Sequence, residues 1–147
     1  VGLDPRGFSV TPVFLETSAL LRMLFQEKGG DAVSERLRKS GRVISSRLLR
    51  VEAERAMLRF GLDRPEHQRL QMQLERELKL FWPYLDFIEV TRDICDLAGR
   101  IAPCSRLRSL DAIHLATYYR VQELDPSIKI LTFDERIKDE VGPLAAL

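Results

Sequence analysis

The sequence has few cysteines and no long apolar run, and each shortage excludes a class of protein. Two cysteines, Cys95 and Cys104, do not make the disulfide framework of a small secreted domain. On one helix they would lie about 13 Å apart, which is too far to bridge. No apolar run approaches the roughly 18 residues that a membrane span needs, and the first residues, with only Arg6 as a basic group, lack the pattern of a signal peptide. These features predict a cytoplasmic protein with reduced cysteines and no membrane segment.

Neither sign of charge is in clear excess. The 23 Lys and Arg residues and the 22 Asp and Glu residues give a net charge of +1. The distribution is more informative. Residues 35–60 hold eight basic and three acidic residues, a local charge of +5, whereas residues 121–147 hold three basic and six acidic residues, a local charge of −3. A basic stretch beside acidic positions suits a site that holds a metal and receives a phosphate backbone. The alternative is a solvated helix face with ordinary ion pairs.

The length of 147 residues, with 45% hydrophobic and 31% charged residues, fits one soluble globular domain over 1–147. Residues 1–11, with Pro5 and Gly7, are interpreted as a poorly ordered lead-in. Short apolar runs predict strands at 13–15, 43–44, 87–90 and 128–132. Helical patterns separate them, among them a long helix that starts at Ser45–Ser46 and ends at Gly61. Strands that alternate with helices predict an α/β protein: a three-layer α/β/α sandwich around a central, mainly parallel sheet.

The most informative stretch is Arg108-Ser109-Leu110-Asp111-Ala112-Ile113-His114-Leu115-Ala116. The helical period places Leu110, Ile113 and Ala116 on one inward face. Ser109 is a suitable N-cap, which puts Asp111 in the first turn, where the helix dipole can keep a partly buried carboxylate ionised. His114 follows one turn later and is interpreted as a packed or hydrogen-bonded core histidine.

Three further acids are positioned to converge with Asp111. Glu16 ends the first strand, Asp134 follows the fourth, and Glu52 lies about two turns into its helix. The carboxyl ends of parallel strands share one rim, where ligands bind in such sheets. Four carboxylates in one pocket are stable mainly when a cation neutralises them or when some are protonated. Oxygen ligands favour Mg²⁺ or Mn²⁺, and no zinc spacing is present.

Four motifs in order resemble the PIN-domain family, and most closely its VapC-type toxins. The resemblance runs from about Val13 to Val141. The matching segments are Leu15-Glu16-Thr17-Ser18-Ala19-Leu20, Ser46-Arg47-Leu48-Leu49-Arg50-Val51-Glu52, the Asp111 stretch, and Leu131-Thr132-Phe133-Asp134-Glu135-Arg136. The third motif is quite specific, and the others are weaker alone.

The resemblance implies a Mg²⁺- or Mn²⁺-dependent endoribonuclease that cleaves RNA with a metal-activated water. Glu16, Glu52, Asp111 and Asp134 would surround the metal. Thr17 or Ser18 would hydrogen-bond a ligand carboxylate, and Arg108 would meet a substrate phosphate. The family also implies homodimers and inhibition by a small cognate antitoxin.

One position departs from the family, whose first acid is normally Asp, whereas this chain has Glu16. The extra methylene moves the carboxylate outward by roughly one bond length, and Mg²⁺ demands near-ideal octahedral geometry. Two alternatives therefore stay open. One is a PIN-fold module that binds RNA or protein but has lost cleavage. The other is a structure-specific DNA nuclease, since the same pocket can serve either polymer.

Overall fold

The computed structural model describes Pro5 and residues 11–147 of the chain, so the predicted lead-in lies outside the described residues except for Pro5 and Thr11. Four strands are formed: Val13–Leu15 (β1), Val43–Ser46 (β2), Leu85–Ile88 (β3) and Lys129–Leu131 (β4). The helices within the described residues are Thr17–Leu24 (α1), Gly30–Lys39 (α2), Arg47–Asp63 (α3), Gln68–Phe81 (α4), Arg92–Ala98 (α5), Ser109–Leu124 (α6) and Glu135–Val141 (α7). None of these helices is both long and apolar enough to cross a bilayer.

The four strands form one sheet in the order β3-β2-β1-β4, and every pairing is parallel. Strand β1 is central, with Phe14 opposite Ile44 of β2 and Ile130 of β4. Because all strands point the same way, their carboxyl ends meet at one rim. The predicted parallel α/β sheet is confirmed.

Alternate residues of β1 supply two separate cores, as the two-residue period of a strand requires. Val13 and Leu15 join one apolar cluster with residues of α1, α3 and α4. Phe14 joins the other, with Leu115 and Tyr118 of α6 and with residues of α7. Helices therefore cover both faces of the sheet, which is the three-layer arrangement that the sequence predicts.

Two details of the predicted helices are wrong. Gly61 does not end α3 but lies inside it, buried where a Cβ atom would come within 1.5 Å of Gln71 Oε1 of α4. Its missing side chain thus serves close helix packing, not helix termination. In α6 the N-cap is Arg108 instead of Ser109, and Leu110 is 47% exposed.

The buried face of α6 overlaps the predicted one only in part. Ala116 is buried as predicted, whereas Leu110 is exposed and Ile113 is half-buried. The other buried residues are Asp111, His114, Leu115, Thr117, Tyr118 and Val121. Because three of these are polar, a count of apolar positions alone misplaces the centre of the face by about one residue, or 100°. This shift is what brings His114 into the interior.

Gly30 is the first residue of α2 and packs closely against the backbone of α1, which allows a prediction about stability. A Cβ atom there would lie 2.5 Å from the carbonyl oxygen of Arg22. We expect Gly30→Ala to lower the free energy of unfolding by about 1–3 kcal/mol, as overpacking does, although alanine favours helices.

Gly99→Ala is the matched control for this prediction. Its Cβ atom would lie 3.5 Å from the nearest atom, an ordinary contact, and its φ of −69° suits any residue. We expect it to be neutral or to stabilise by up to about 1 kcal/mol. Urea midpoints of both variants test the pair, and a Gly30→Ala protein as stable as the wild type would contradict it.

Candidate metal centre

The candidate site lies at the rim where the strands end. Glu16 directly follows β1 and is the N-cap residue of α1. Strand β2 leads into α3, whose second turn carries Glu52. Strand β4 leads to Thr132 and then to Asp134, the N-cap residue of α7. The rim therefore gathers the ends of three neighbouring strands and the starts of the helices that follow them.

Glu16 is held tightly on the α1 side of the rim. It is buried, and its Oε2 accepts hydrogen bonds from the backbone N–H of Ser18 at 3.0 Å and from the Ser18 hydroxyl. Thr132 donates a third hydrogen bond to the same oxygen at 2.8 Å. The Ser18 hydroxyl in turn accepts from the backbone N–H of Phe133 at 2.8 Å. These contacts fix the direction in which the carboxylate points.

Glu52 is held by a different pair of side chains. Its Oε2 accepts hydrogen bonds from the Thr17 hydroxyl and from His114 Nε2, the latter at 2.6 Å. Since a carboxylate oxygen only accepts, the proton of that second bond belongs to the imidazole Nε2. His114 is buried, and its Nδ1 has no hydrogen-bond partner among the described residues. Thr17 and His114 thus orient Glu52 much as Ser18 and Thr132 orient Glu16.

Glu16, Glu52 and His114 form the group of potential ligands found within the described residues, with one donor atom of each lying within 4.8 Å of the others. Two carboxylates this close repel each other unless positive charge is placed beside them. Within the chain itself, His114 can supply part of that charge. The donor set and its spacing fit a divalent cation.

The pKa values of the three groups reflect this crowding. Burial raises the pKa of Glu16, and the His114 charge and the hydrogen bonds from Ser18 and Thr132 offset this only in part. Burial also acts on Glu52, but the hydrogen bond and charge of His114, with smaller contributions from Thr17 and Arg108, outweigh it and lower its pKa.

His114 shows the complementary shift. Burial disfavours the charged imidazole, but the hydrogen bond to Glu52 and the nearby carboxylates prevail and raise the pKa of His114. Asp111 is one of those carboxylates, together with Glu16 and Glu52. The clustered carboxylates thus stabilise the protonated form of His114.

Asp111 lies beside the three-residue group but is not one of its members. Its Oδ2 accepts a hydrogen bond from the backbone N–H of Arg108 at 3.0 Å and lies 3.3 Å from Arg108 Nε. Asp111 is buried, one turn before His114 on the same face of α6. The Arg108 side chain is mostly exposed, which leaves its guanidinium accessible at the rim.

Asp134 is engaged as a helix cap. Its Oδ1 accepts from the backbone N–H groups of Arg136 at 2.8 Å and Ile137 at 3.4 Å, and its Oδ2 lies 3.3 Å from Arg136 Nη1. The link to the cluster runs through Thr132, whose hydroxyl accepts from the Asp134 backbone N–H and donates to Glu16. The structure therefore brings Glu16 and Glu52 together, sets Asp111 next to them, and places Asp134 at the edge.

Sequence reasoning left His114 and Thr132 out of the site. The signal for His114 was its spacing of three from Asp111, which puts both on one helical face. The signal for Thr132 was a polar residue directly after the apolar strand β4. Both act through hydrogen bonds to a glutamate far away in the chain, and only the tertiary structure reveals those partners.

Comparison with known proteins agrees with this parallel α/β sandwich. The PIN domain family model matches residues 13–142. The chain is 33% identical over 133 residues to Ribonuclease VapC46 of Mycobacterium tuberculosis, a match that covers 90% of this chain and 92% of the relative. It is 34% identical over 136 residues to Ribonuclease VapC35 of the same species, again covering 90% and 92%.

A solved structure, a toxin-antitoxin complex from Klebsiella pneumoniae, contains a chain with a TM-score of 0.58 and 18% identity to this one, and the match covers 92% of this chain and 96% of that one. That likeness concerns the fold. The matched domain and the identity to the VapC proteins show that the chain belongs to the PIN domain family.

Proposed function

We propose that this protein is a divalent-cation-dependent endoribonuclease and the toxin of a toxin–antitoxin pair. The observation that carries the proposal is the convergence of Glu16 and Glu52 at the rim of a parallel sheet, beside buried Asp111, in a chain related to proteins named as ribonucleases. Carboxylates that are buried or partly buried, lie close together and are held there by hydroxyl groups and an imidazole form a site that favours positive charge.

Glu16, Glu52 and Asp111 would hold the cation, with Asp134 as the outermost acid. The carboxylate donors of this site are oxygens, which favours Mg²⁺ or Mn²⁺ over softer metals. A cation held there would lower the pKa of a bound water molecule and would place positive charge next to a phosphodiester bond.

The residues of the chain have distinct tasks in this proposal. Ser18 and Thr132 fix the Glu16 carboxylate, and Thr17 and His114 fix that of Glu52, so that neither must reorganise when substrate arrives. The exposed guanidinium of Arg108 binds a substrate phosphate through its planar fork of donors.

The partners belong to the same proposal. A small antitoxin protein would inhibit the enzyme, as a toxin–antitoxin pair requires, and the chain would act as a homodimer. RNA as the substrate places the activity in the cytoplasm.

Cleavage of a panel of structured RNAs by the purified protein tests the proposal. The panel is incubated with Mg²⁺, with Mn²⁺ and with EDTA, and a flapped DNA substrate is run in parallel. We expect RNA cleavage that requires the metal and is lost in Asp111→Asn, which also controls for contaminating nucleases. Cleavage of the flapped DNA with RNA left intact would favour a DNA nuclease, whereas RNA binding without cleavage in either metal would favour a binding module.

The unusual first acid gives a separate prediction. An aspartate at position 16 would withdraw the carboxylate by one methylene, towards the position usual in the family, so we expect Glu16→Asp to bind Mg²⁺ about tenfold more tightly, a modest effect for altered ligand orientation. Calorimetric titration measures it. Glu35→Asp is the matched control, since Glu35 is exposed and paired with Lys39 on α2. Superimposable Mg²⁺ titrations of the wild type and Glu16→Asp would refute this role for the extra methylene.

A further inference from the structure

The basic stretch at 35–60 divides into paired and unpaired residues. Four of its eight basic side chains form ion pairs: Lys39 with Glu35, Arg42 with Asp86, Arg47 with Glu89, and Arg50 with Glu54. On α3, Arg55 and Arg59 are exposed and have no acidic partner among the described residues. Ordinary ion pairs therefore account for half of the basic residues in the stretch. Of the four that remain unpaired among the described residues, Arg55 and Arg59 lie on α3.

Both arginines share a helix face with Glu52. Residues three and seven positions along an α-helix return to the same side, so Arg55 and Arg59 follow Glu52 at rises of about 4.5 and 10.5 Å along the axis of α3. Arg108 lies at the Glu52 end of this row, close enough for its charge to act on that carboxylate. We call Arg55 and Arg59 the α3 arginine pair.

The direction of α3 follows from its packing against α1. At the rim the Thr17 hydroxyl donates a hydrogen bond to the Glu52 carboxylate. Farther from the rim, the ring centroids of Phe25 and Phe60 lie 5.1 Å apart. Both contacts join residues 35 positions apart, so the two helices run side by side in the same direction. The α3 arginine pair therefore lies on an exposed flank that starts at the candidate metal centre and leads away from it.

Helix α4 packs against another side of α3 and leaves this flank open. The cavity between α3 and α4 is lined by Met57 and Leu58 of α3 and by Leu78 of α4. On the helical wheel these α3 positions lie roughly 120–140° from Glu52, from 100° per residue. Arginines on the outer face of α4, such as Arg69 and Arg76, are therefore remote from the candidate metal centre.

From this arrangement we infer that the α3 arginine pair binds the phosphate backbone of the RNA strand and directs that strand outward along α3 from the candidate metal centre. The inference rests on the proposed function. An unpaired guanidinium presents a fork of donors that matches a phosphate, and the pair continues directly from the carboxylates where a phosphodiester would be cut. Charge complementarity and continuity with the site favour a nucleic acid over an acidic protein as the occupant.

RNA binding as a function of salt tests the inference without relying on cleavage. Fluorescence anisotropy gives the dissociation constant of a labelled single-stranded RNA in EDTA at several KCl concentrations, for the wild type and for Arg55→Ala/Arg59→Ala. Each phosphate contact on a single strand contributes about 0.7 to the slope of log K against log salt. We expect the double variant to bind more weakly and its slope to be shallower by about 1.4, that is, by two such contacts.

Two further proteins make the result specific. Arg69→Ala/Arg76→Ala removes two exposed arginines of α4, which likewise have no ion pair among the described residues, and should leave the slope unchanged. Arg55→Lys/Arg59→Lys keeps the charges and should retain most of the slope. Circular dichroism confirms that all variants are folded.

The inference is overturned if the α3 double variant keeps the wild-type slope, if the α4 variant loses as much, or if the wild type binds no RNA. An unchanged slope would also be the result if a protein occupies this flank. Failure of the proposed function would give a different result. The salt slope of RNA binding would still be shallower in the α3 double variant, but the wild type would cleave no RNA in Mg²⁺ or Mn²⁺.

Discussion

Replacing Glu52 by glutamine is expected to lower metal-dependent RNA cleavage by at least about 100-fold. Loss of a group that only orients a metal ligand costs about 10–100-fold in metal affinity or activity, so loss of a ligand should reach or exceed the upper end of that range. The glutamine has nearly the same shape, and its amide oxygen can still accept the hydrogen bonds from Thr17 and His114, but it lacks the negative charge that attracts a cation.

Glu54→Gln is the matched control for this prediction. Glu54 lies two residues further along α3, is exposed, and pairs with Arg50 at 2.9 Å. Its loss should change cleavage less than about twofold, because exposed helix pairs contribute only about 0.3–0.5 kcal/mol. Initial cleavage rates in saturating Mg²⁺ compare the two variants. Equal rates for Glu52→Gln and the wild type would remove Glu52 from the site.

The second large effect concerns the fold that positions the site. Phe14 is 0% exposed in the central strand, and its ring lies edge-on to that of Tyr118 with centroids 5.5 Å apart. We expect Phe14→Ala to lower the free energy of unfolding by about 3–5 kcal/mol, since it removes a buried ring and leaves a cavity between β1 and α6. That loss is a large share of the roughly 5–15 kcal/mol of a typical domain.

Urea unfolding followed by circular dichroism measures this change. Leu124→Ala is the control, because Leu124 is 88% exposed at the end of α6 and its truncation should stay within about 0.5 kcal/mol. A change of less than about 1 kcal/mol for Phe14→Ala would mean that the sheet and α6 do not pack as described.

Much of the fold could be predicted because its signals are local. The strands are short apolar runs, and the alternation of strands with helices indicates parallel pairing, which the sheet shows. Gly61 could not be interpreted correctly from local signals, since the feature that uses its small size is Gln71 of another helix.

The candidate site could be predicted only in part for the same reason. Glu16 and Asp134 are assigned to the rim by their places after parallel strands, which is a rule of topology. The hydrogen bonds that orient Glu52 join residues 35 and 62 positions apart, and no sequence period encodes them. The face of α6 that carries Asp111 and His114 was misplaced because both residues are polar and buried, contrary to the rule by which apolar residues mark the inner face.

The central claim is that one divalent cation binds between Glu16, Glu52 and Asp111, and paramagnetic broadening by Mn²⁺ tests it most directly. In the NMR spectrum of isotope-labelled protein, substoichiometric Mn²⁺ should first broaden the amide signals of Thr17, Ser18 and Glu52 and the imidazole signals of His114. The same titration of Asp111→Asn should require a much higher Mn²⁺ concentration. Broadening that begins instead at exposed acids such as Asp139 and Glu140, with the rim signals unchanged, would contradict the account.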